Sequence, residues 1–138
     1  MRLIAPIIVL GLLTATGALA QSPNLEIAIT EGERLAASVE AAPTEPYQGG
    51  PWASIPPTPL NATTEPTAAS FRIRTWKEAD RARVVVFAVT RDKQRTATDR
   101  EVETQIATFL LAAGDSLQVS EASKYGARPV TVSARPRQ

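Results

Sequence analysis

Over the second half of the chain, apolar and polar residues alternate with a period of two, and that pattern predicts strands. Phe71, Ile73 and Thr75 alternate with Arg72, Arg74 and Trp76, as in a half-buried strand. Lys77-Glu78-Ala79-Asp80 is a polar break. Val84-Val85-Val86-Phe87-Ala88-Val89 follows, β-branched and apolar on both faces. This predicts a central strand paired with the first as a hairpin. Arg91 to Arg100 reads as a charged loop. Ser116 to Ser120 and Pro129 to Ala134 are two further short strands, with a turn at Tyr125-Gly126 between them.

Residues 99–113 fit two patterns. As a helix, Thr98 and Glu101 form a capping box, Val102, Ile106, Phe109, Leu110 and Ala113 mark one face, and Gly114 sits at the C-terminal cap. As a strand, Val102, Thr104, Ile106, Thr108 and Leu110 line one face and Gly114-Asp115 turns into the next strand. The β-branched Thr104, Ile106 and Thr108 favour the strand.

Upstream the pattern changes. Leu25, Ile27 and Ile29 alternate with Glu26 and Ala28, which suits a short strand. Thr30 and Glu33 then fit a capping box, with Leu35, Ala36 and Val39 at helical spacing, and predict a short helix from about Glu31 to Ala41. Seven of the 11 prolines fall between Pro43 and Pro66, together with Gly49-Gly50. Proline fixes φ and removes a donor, so the stretch is excluded from a central sheet and reads as an extended Pro-rich linker. Within it, Trp52 and Ile55 are the residues an aromatic groove would take.

The first residues follow a different logic. Arg2 supplies a positive start, Leu3 to Leu13 is apolar, and Ala18-Leu19-Ala20 places small residues three and one before a cut. This predicts a signal peptide cleaved before Gln21. The rival is an uncleaved anchor, since the run from Leu3 to Ala20 is about as short as a bilayer span can be. Gly11, Gly17 and the processing motif favour cleavage. The mature product is then exported, periplasmic or extracellular, with no stable membrane insertion. The expected organisation is a signal peptide at 1–20, a short strand and helix segment at 21–42, the linker at 43–68 and a small β domain at 69–135.

Phe109-Leu110-Leu111-Ala112-Ala113-Gly114-Asp115-Ser116-Leu117-Gln118-Val119, followed by a turn and Pro129-Val130-Thr131-Val132, resembles the late strands of bacterial immunoglobulin-like or fibronectin-type sandwich modules. The resemblance implies a mainly β fold, a small Ig-like β-sandwich, over the last 65 or so residues. It departs from immunoglobulin domains proper in having neither the cysteine pair nor a tryptophan in the later strands, and five strands are recognisable where seven are usual. The resemblance implies an architecture and no particular activity.

Composition then narrows the chemistry. The 138 residues carry a net charge of +1, 43% are hydrophobic, and there is neither cysteine nor histidine. This excludes a thiol nucleophile, a Ser-His-Asp relay and an imidazole base. The exported domain must also hold together without disulfides, the usual support of small secreted folds. The near-zero net charge hides two opposite halves. Residues 21–70 hold Glu26, Glu31, Glu33, Glu40, Glu45 and Glu65 against Arg34 alone, whereas residues from Phe71 onward hold eight acids and thirteen bases.

The acid pairs Glu78 with Asp80, Asp92 with Asp99, and Glu101 with Glu103 show no convergence of the kind a glycosidase needs. The Asp92–Asp99 loop is interrupted by Lys93 and Arg95 and has no calcium-loop run. Lys124 and Tyr125 are adjacent and read as part of a turn. Ser116 lacks an elbow motif and a base. Asn61-Ala62-Thr63 matches a glycosylation acceptor that would be idle in a bacterial periplasm.

The denser signal is basic. Arg72, Arg74, Lys77, Arg81 and Arg83 lie on one hairpin with Trp76 among them, a set that can stack on a ring and attract an anion. The competing reading is a solvated strand pair whose arginines meet Glu101 and Glu103 across the sheet. The functional expectation is a non-catalytic exported β module without metal or cofactor, binding a protein or an anionic envelope polymer and not nucleic acid. The alternative is a structural or assembly subunit that joins a neighbour through its N-terminal segment or an edge strand.

Overall fold

A computed structural model describes residues 24–46, 52–93 and 99–137. The leader, its cut before Gln21 and residues 94–98 of the charged loop lie outside the described residues, as do the side chains of Asp92 and Asp99. The described chain forms β1 (Leu25–Glu31), β2 (Arg34–Glu40), β3 (Trp52–Ile55), β4 (Ser70–Glu78), β5 (Arg81–Lys93), β6 (Asp99–Leu111), β7 (Ser116–Val119) and β8 (Val130–Pro136). A 3-10 helix, Ser120–Tyr125, separates β7 from β8.

The strands make two four-stranded antiparallel sheets, sheet A in the order β2-β1-β8-β7 and sheet B in the order β3-β4-β5-β6. The fold is mainly β, a two-layer sandwich. Its core forms where the alternating strands face each other. Leu25, Ile27 and Ile29 of β1 and Val130 and Val132 of β8 meet Phe71 and Ile73 of β4 and Val84 and Val86 of β5, all fully buried. Every neighbouring pair within a sheet is consecutive in sequence except β1 and β8. The β1–β8 pairing runs from Leu25↔Pro136 to Glu31↔Val130 and draws the two ends of the described chain together.

The strand reading of 99–113 is realised as β6, paired with β5 along its length. The helix expected at Glu31–Ala41 is corrected: Arg34–Glu40 is β2, antiparallel to β1. The physical reason lies in the turn and in a bulge. Gly32-Glu33 is a two-residue hairpin loop between the paired Glu31 and Arg34, with Gly32 at φ 62°. Only a residue without Cβ takes that conformation at little cost. Because Ile29 pairs with Ala37 and Thr30 with Leu35, Ala36 is an extra residue on β2. The bulge breaks the two-residue alternation, so that Leu35, Ala36 and Val39 imitate helical spacing.

The folded unit is also wider than 69–135, since β1 and β2 form half of sheet A and β3 belongs to sheet B. The described parts of the Pro-rich stretch are bound to the sandwich. Ala53 and Ile55 are buried, and β3 pairs with β4 at the sheet edge, where prolines on either side of a strand are tolerated. Further along, the Glu31 carboxylate, only 2% exposed as a residue, accepts the Thr58 N–H at 2.9 Å and has Arg34 Nη2 at 3.5 Å. Arg128 N–H donates to the Thr58 carbonyl at 3.0 Å. Asn61 Oδ1 accepts from the Thr63 N–H and from the Thr63 and Thr64 hydroxyls, so its side chain closes a local turn. No helix among the described residues is long and apolar enough to cross a membrane.

Candidate binding site on the outer face of sheet B

Strand alternation decides which side chains of β4 and β5 leave the core. Phe71, Ile73 and Thr75 point inward, so Arg72, Arg74, Trp76 and Glu78 emerge on the outer face. On β5 the inward set is Ala82, Val84, Val86 and Ala88, and Arg83, Val85 and Phe87 join the outer face. The register then sets the rows. Trp52 of β3 lies across from Arg74 and then Val85, and Ser54 lies across from Arg72 and then Phe87.

The result is a stack of rings and guanidinium groups. Trp52 is 37% exposed, with the Arg72 and Arg74 guanidinium carbons 5.2 and 5.1 Å from its ring centroid. Arg74 also lies 5.8 Å from the Trp76 ring. Phe87 meets Trp52 edge-on at 6.4 Å. Each such cation–ring contact is worth about 0.5–1 kcal/mol where exposed. Arg74 Nη2 donates to the Pro46 carbonyl at 2.9 Å, and its buried Nε has no hydrogen-bond partner among the described residues.

The stack ends in ion pairs. Arg83 grips Glu78 with two hydrogen bonds, Nε to Oε2 at 3.0 Å and Nη2 to Oε1 at 3.1 Å, and the Trp76 indole N–H donates to the same carboxylate at 3.0 Å. The Arg83 guanidinium holds the Glu78 carboxyl below its ordinary range, and Glu78 in turn raises Arg83. At the other end, Arg72 donates to Glu103 and lies 3.8 Å from Glu101. Arg72 thus makes the cross-sheet meeting anticipated for the arginines, whereas Arg83 pairs within its own hairpin.

The six residues singled out from sequence are therefore divided. Arg72, Arg74, Trp76 and Arg83 share the outer face. Trp76 is nearly buried there, so its ring supports the stack more than it offers a surface. Lys77 falls on the opposite side of β4, lining with Val39, Glu40, Ala42 and Pro43 a cleft of about 700 Å³ where the chain leaves β2 for sheet B. Arg81 stands exposed beside the two-residue loop Ala79-Asp80. The residue that sequence reasoning set apart from this group is Trp52. Ile55, its companion in that reading, is a core residue. The alternation Trp52, Ala53, Ser54, Ile55 carries the strand signal, short and hidden between prolines.

Among the described residues there is no group of three or more His, Cys, Asp or Glu side chains able to hold a metal ion. No family model, curated protein or solved structure matches the chain.

Proposed function

We propose that this chain is an exported, non-catalytic β-sandwich module of the immunoglobulin-like type, and that the outer face of sheet B binds an anionic envelope polymer. The observation that carries the reading is the exposed Trp52 ring with the Arg72 and Arg74 guanidinium groups both in contact range of it. A flat indole takes the face of a sugar ring, and a guanidinium recognises a carboxylate or phosphate with paired N–H donors. The pairing of β3 with β4 and the contacts with Arg72, Arg74 and Phe87 hold the ring in place before a ligand arrives, which lowers the cost of ordering it. The leader pattern at residues 1–20 supports export. Two face-to-face antiparallel sheets support the likeness to immunoglobulin-type modules; sheet B runs as a meander and sheet A as two hairpins joined through β1 and β8, unlike the Greek key of those domains.

The test is calorimetric titration of the mature chain with an acidic polysaccharide such as polygalacturonate, and with a neutral glucan of equal length. Binding of the acidic polymer alone, lost in Trp52→Ala and in Arg74→Gln, is the expected result. Binding unaffected by either substitution, or equal for the neutral glucan, overturns the assignment. Retention of an envelope protein through the same face, with no response to the polymer, replaces the polymer with a protein partner.

A further inference from the structure

Edge strands are where a sandwich is open to another chain, because one row of backbone N–H and C=O groups has no partner within the fold. The four edges here are unequal. β3 and β7 have four residues each, and β2 has seven and is bulged. β6 has 13, contains no proline, and among the described strands pairs with β5 only. The pairing of β4 with β5 ends at Ser70↔Val89, but β5 and β6 continue through Thr90↔Val102, Arg91↔Glu101, Asp92↔Arg100 and Lys93↔Asp99. This arm is a two-stranded ribbon, a form that is marginal by itself in water.

The side chains along this edge are also incompletely covered. Val102 shares the inward side with Thr90 and Thr104, and Phe109 lies inward across from Val84. The facing edge of sheet A is the short β7, whose Leu117 pairs with the buried Val132 and so points inward, yet remains 44% exposed. Val102 is 37% exposed, and Ile106 and Phe109 are only partly buried. The opposite seam, between β2 and β3, is closed by the crossing chain: Ala42 is hydrogen-bonded to both Thr75 and Lys77 of β4, and Ala41 is buried.

The charges decide which occupant fits. Glu101 and Glu103 stand on the outer side of β6, where the Arg72 guanidinium lies within ion-pair range of both and Arg91 of β5 is the register partner of Glu101. A second copy of β6 added by two-fold symmetry, with inward sides kept together, sets acid opposite acid wherever the axis falls between residues 99 and 103. Like charges directly opposite each other destabilise a strand pair. Beyond that point Ile106, the extra residue opposite the Val86/Phe87 step, breaks the alternation.

We infer that β6 is an acceptor edge for an extended segment of another polypeptide, one whose residues alternate apolar toward the seam and basic toward Glu101 and Glu103. The added strand takes its affinity from main-chain hydrogen bonds and its selectivity from the alternate side chains. The site adjoins the Trp52 face through Arg72, which touches the Trp52 ring and both carboxylates, but an added strand needs neither the ring nor a polymer bound to it.

Amide hydrogen exchange on the full mature chain tests this with three nine-residue peptides: one alternating lysine and valine, one with glutamate for lysine, and the lysine peptide N-methylated at alternate amides. The lysine–valine peptide is expected to slow exchange at outward-facing β6 amides between Glu101 and Thr108 by at least tenfold, and the other two to leave them unchanged. Val102→Lys and Thr104→Lys, both at exposed inward positions, are expected to abolish the protection with the fold intact, while Trp52→Ala retains it. No protection by the lysine–valine peptide, an equal response to the glutamate peptide, or a chain that dimerises through β6 unaided would overturn the inference.

Discussion

On the inner side of sheet A, Ile27, Ile29, Val130 and Val132 are fully buried aliphatic residues, and on the inner side of sheet B, Ile73, Val84 and Val86 are the same. The outer sides share nothing of that likeness. Outside sheet A, Ala28 sits between Ser38 and Ser133, and Thr30 lies across from Thr131. Only at one end does a charged cluster form, where Glu26 accepts from Ser38 and from Arg135. Outside sheet B, Trp52, Arg72, Arg74, Trp76 and Phe87 form the ring and guanidinium stack. The core demands apolar inner faces from both sheets, so the inner faces say nothing about use. Among the described residues, large aromatic side chains stand on one outer face only; the core does not need them to close, and that asymmetry points to sheet B.

The strongest way to break the comparison is to charge each inner face in turn. Val86→Asp in sheet B and Val132→Asp in sheet A each place a carboxylate at a position with no exposure. Each is expected to cost about 4 kcal/mol or more, since an unpaired buried charge is among the most damaging substitutions. Because the two sheets share one core, both variants should lose tertiary signal from the whole chain in urea titrations. A Val132→Asp protein that kept the Trp52 and Trp76 fluorescence of the native state would show that sheet B stands by itself.

Next in size is Glu31→Ala. It removes the buried acceptor of the Thr58 N–H and is expected to destabilise by about 1–3 kcal/mol. Exchange at the Thr58 amide should accelerate more than exchange within β4. Equal acceleration everywhere would mean that Glu31 supports the sandwich as a whole and not the Pro-rich segment in particular.

The two hairpin loops offer a smaller and sharper contrast. Gly32 in sheet A and Ala79 in sheet B both open a two-residue loop with positive φ, 62° and 58°. Ala79 bears the cost of a Cβ in the left-handed region. Ala79→Gly should stabilise by up to about 1 kcal/mol and Gly32→Ala should destabilise by about 1–2 kcal/mol, both read from thermal unfolding. A Cβ on Gly32 would stand 3.4 Å from Arg128 Cδ, so backbone strain and not crowding sets that loss.

The smallest effect is acid sensitivity. Glu26 is held below its ordinary value by the Ser38 hydroxyl and then by Arg135, and Glu78 by Arg83. A carboxyl lowered in the folded state adds stability at pH above its unfolded value, and loses it as pH falls through the folded one. The melting temperature should therefore decline modestly once pH drops below the ordinary glutamate range. Both groups are in partial contact with solvent, and high salt should shrink the decline. Glu26→Gln and Glu78→Gln should each flatten their share of it, and a decline unchanged in both would assign the acid sensitivity elsewhere.

How far these features were legible from sequence follows from where the regular period survives. Phe71 to Thr75 and Val130 to Ser133 keep the alternation and Val84 to Val89 is apolar and mostly β-branched, and all three are strands; the uncharged Val130–Ser133 stretch pairs with β1. β2 was hidden by the bulge at Ala36 and by Thr30 and Glu33, which have capping-box spacing but flank a hairpin turn. β3 was hidden because four residues among prolines carry too little period to register. The candidate face on sheet B suffered for the same reason. Its arginines stand in a clear run, but the ring they surround comes from the strand that sequence could not see, about twenty residues away.

The pairing of β1 with β8 has a consequence for how this molecule comes into being. Sheet B lies wholly within residues 52–111, so its pairings are available as soon as that stretch exists. Sheet A waits: β1 is made early but stays without one of its neighbours until Val130–Pro136 has been synthesised. That pairing has the largest sequence separation of the strand pairs described, and long-range pairings slow folding. The Arg137 N–H already reaches the Asn24 carbonyl at 2.8 Å, so a short peptide could splice the two ends. A rearranged gene beginning at β3 and ending at β2 would turn every strand neighbour into a sequence neighbour, and the slowest step of assembly would disappear from an unchanged architecture.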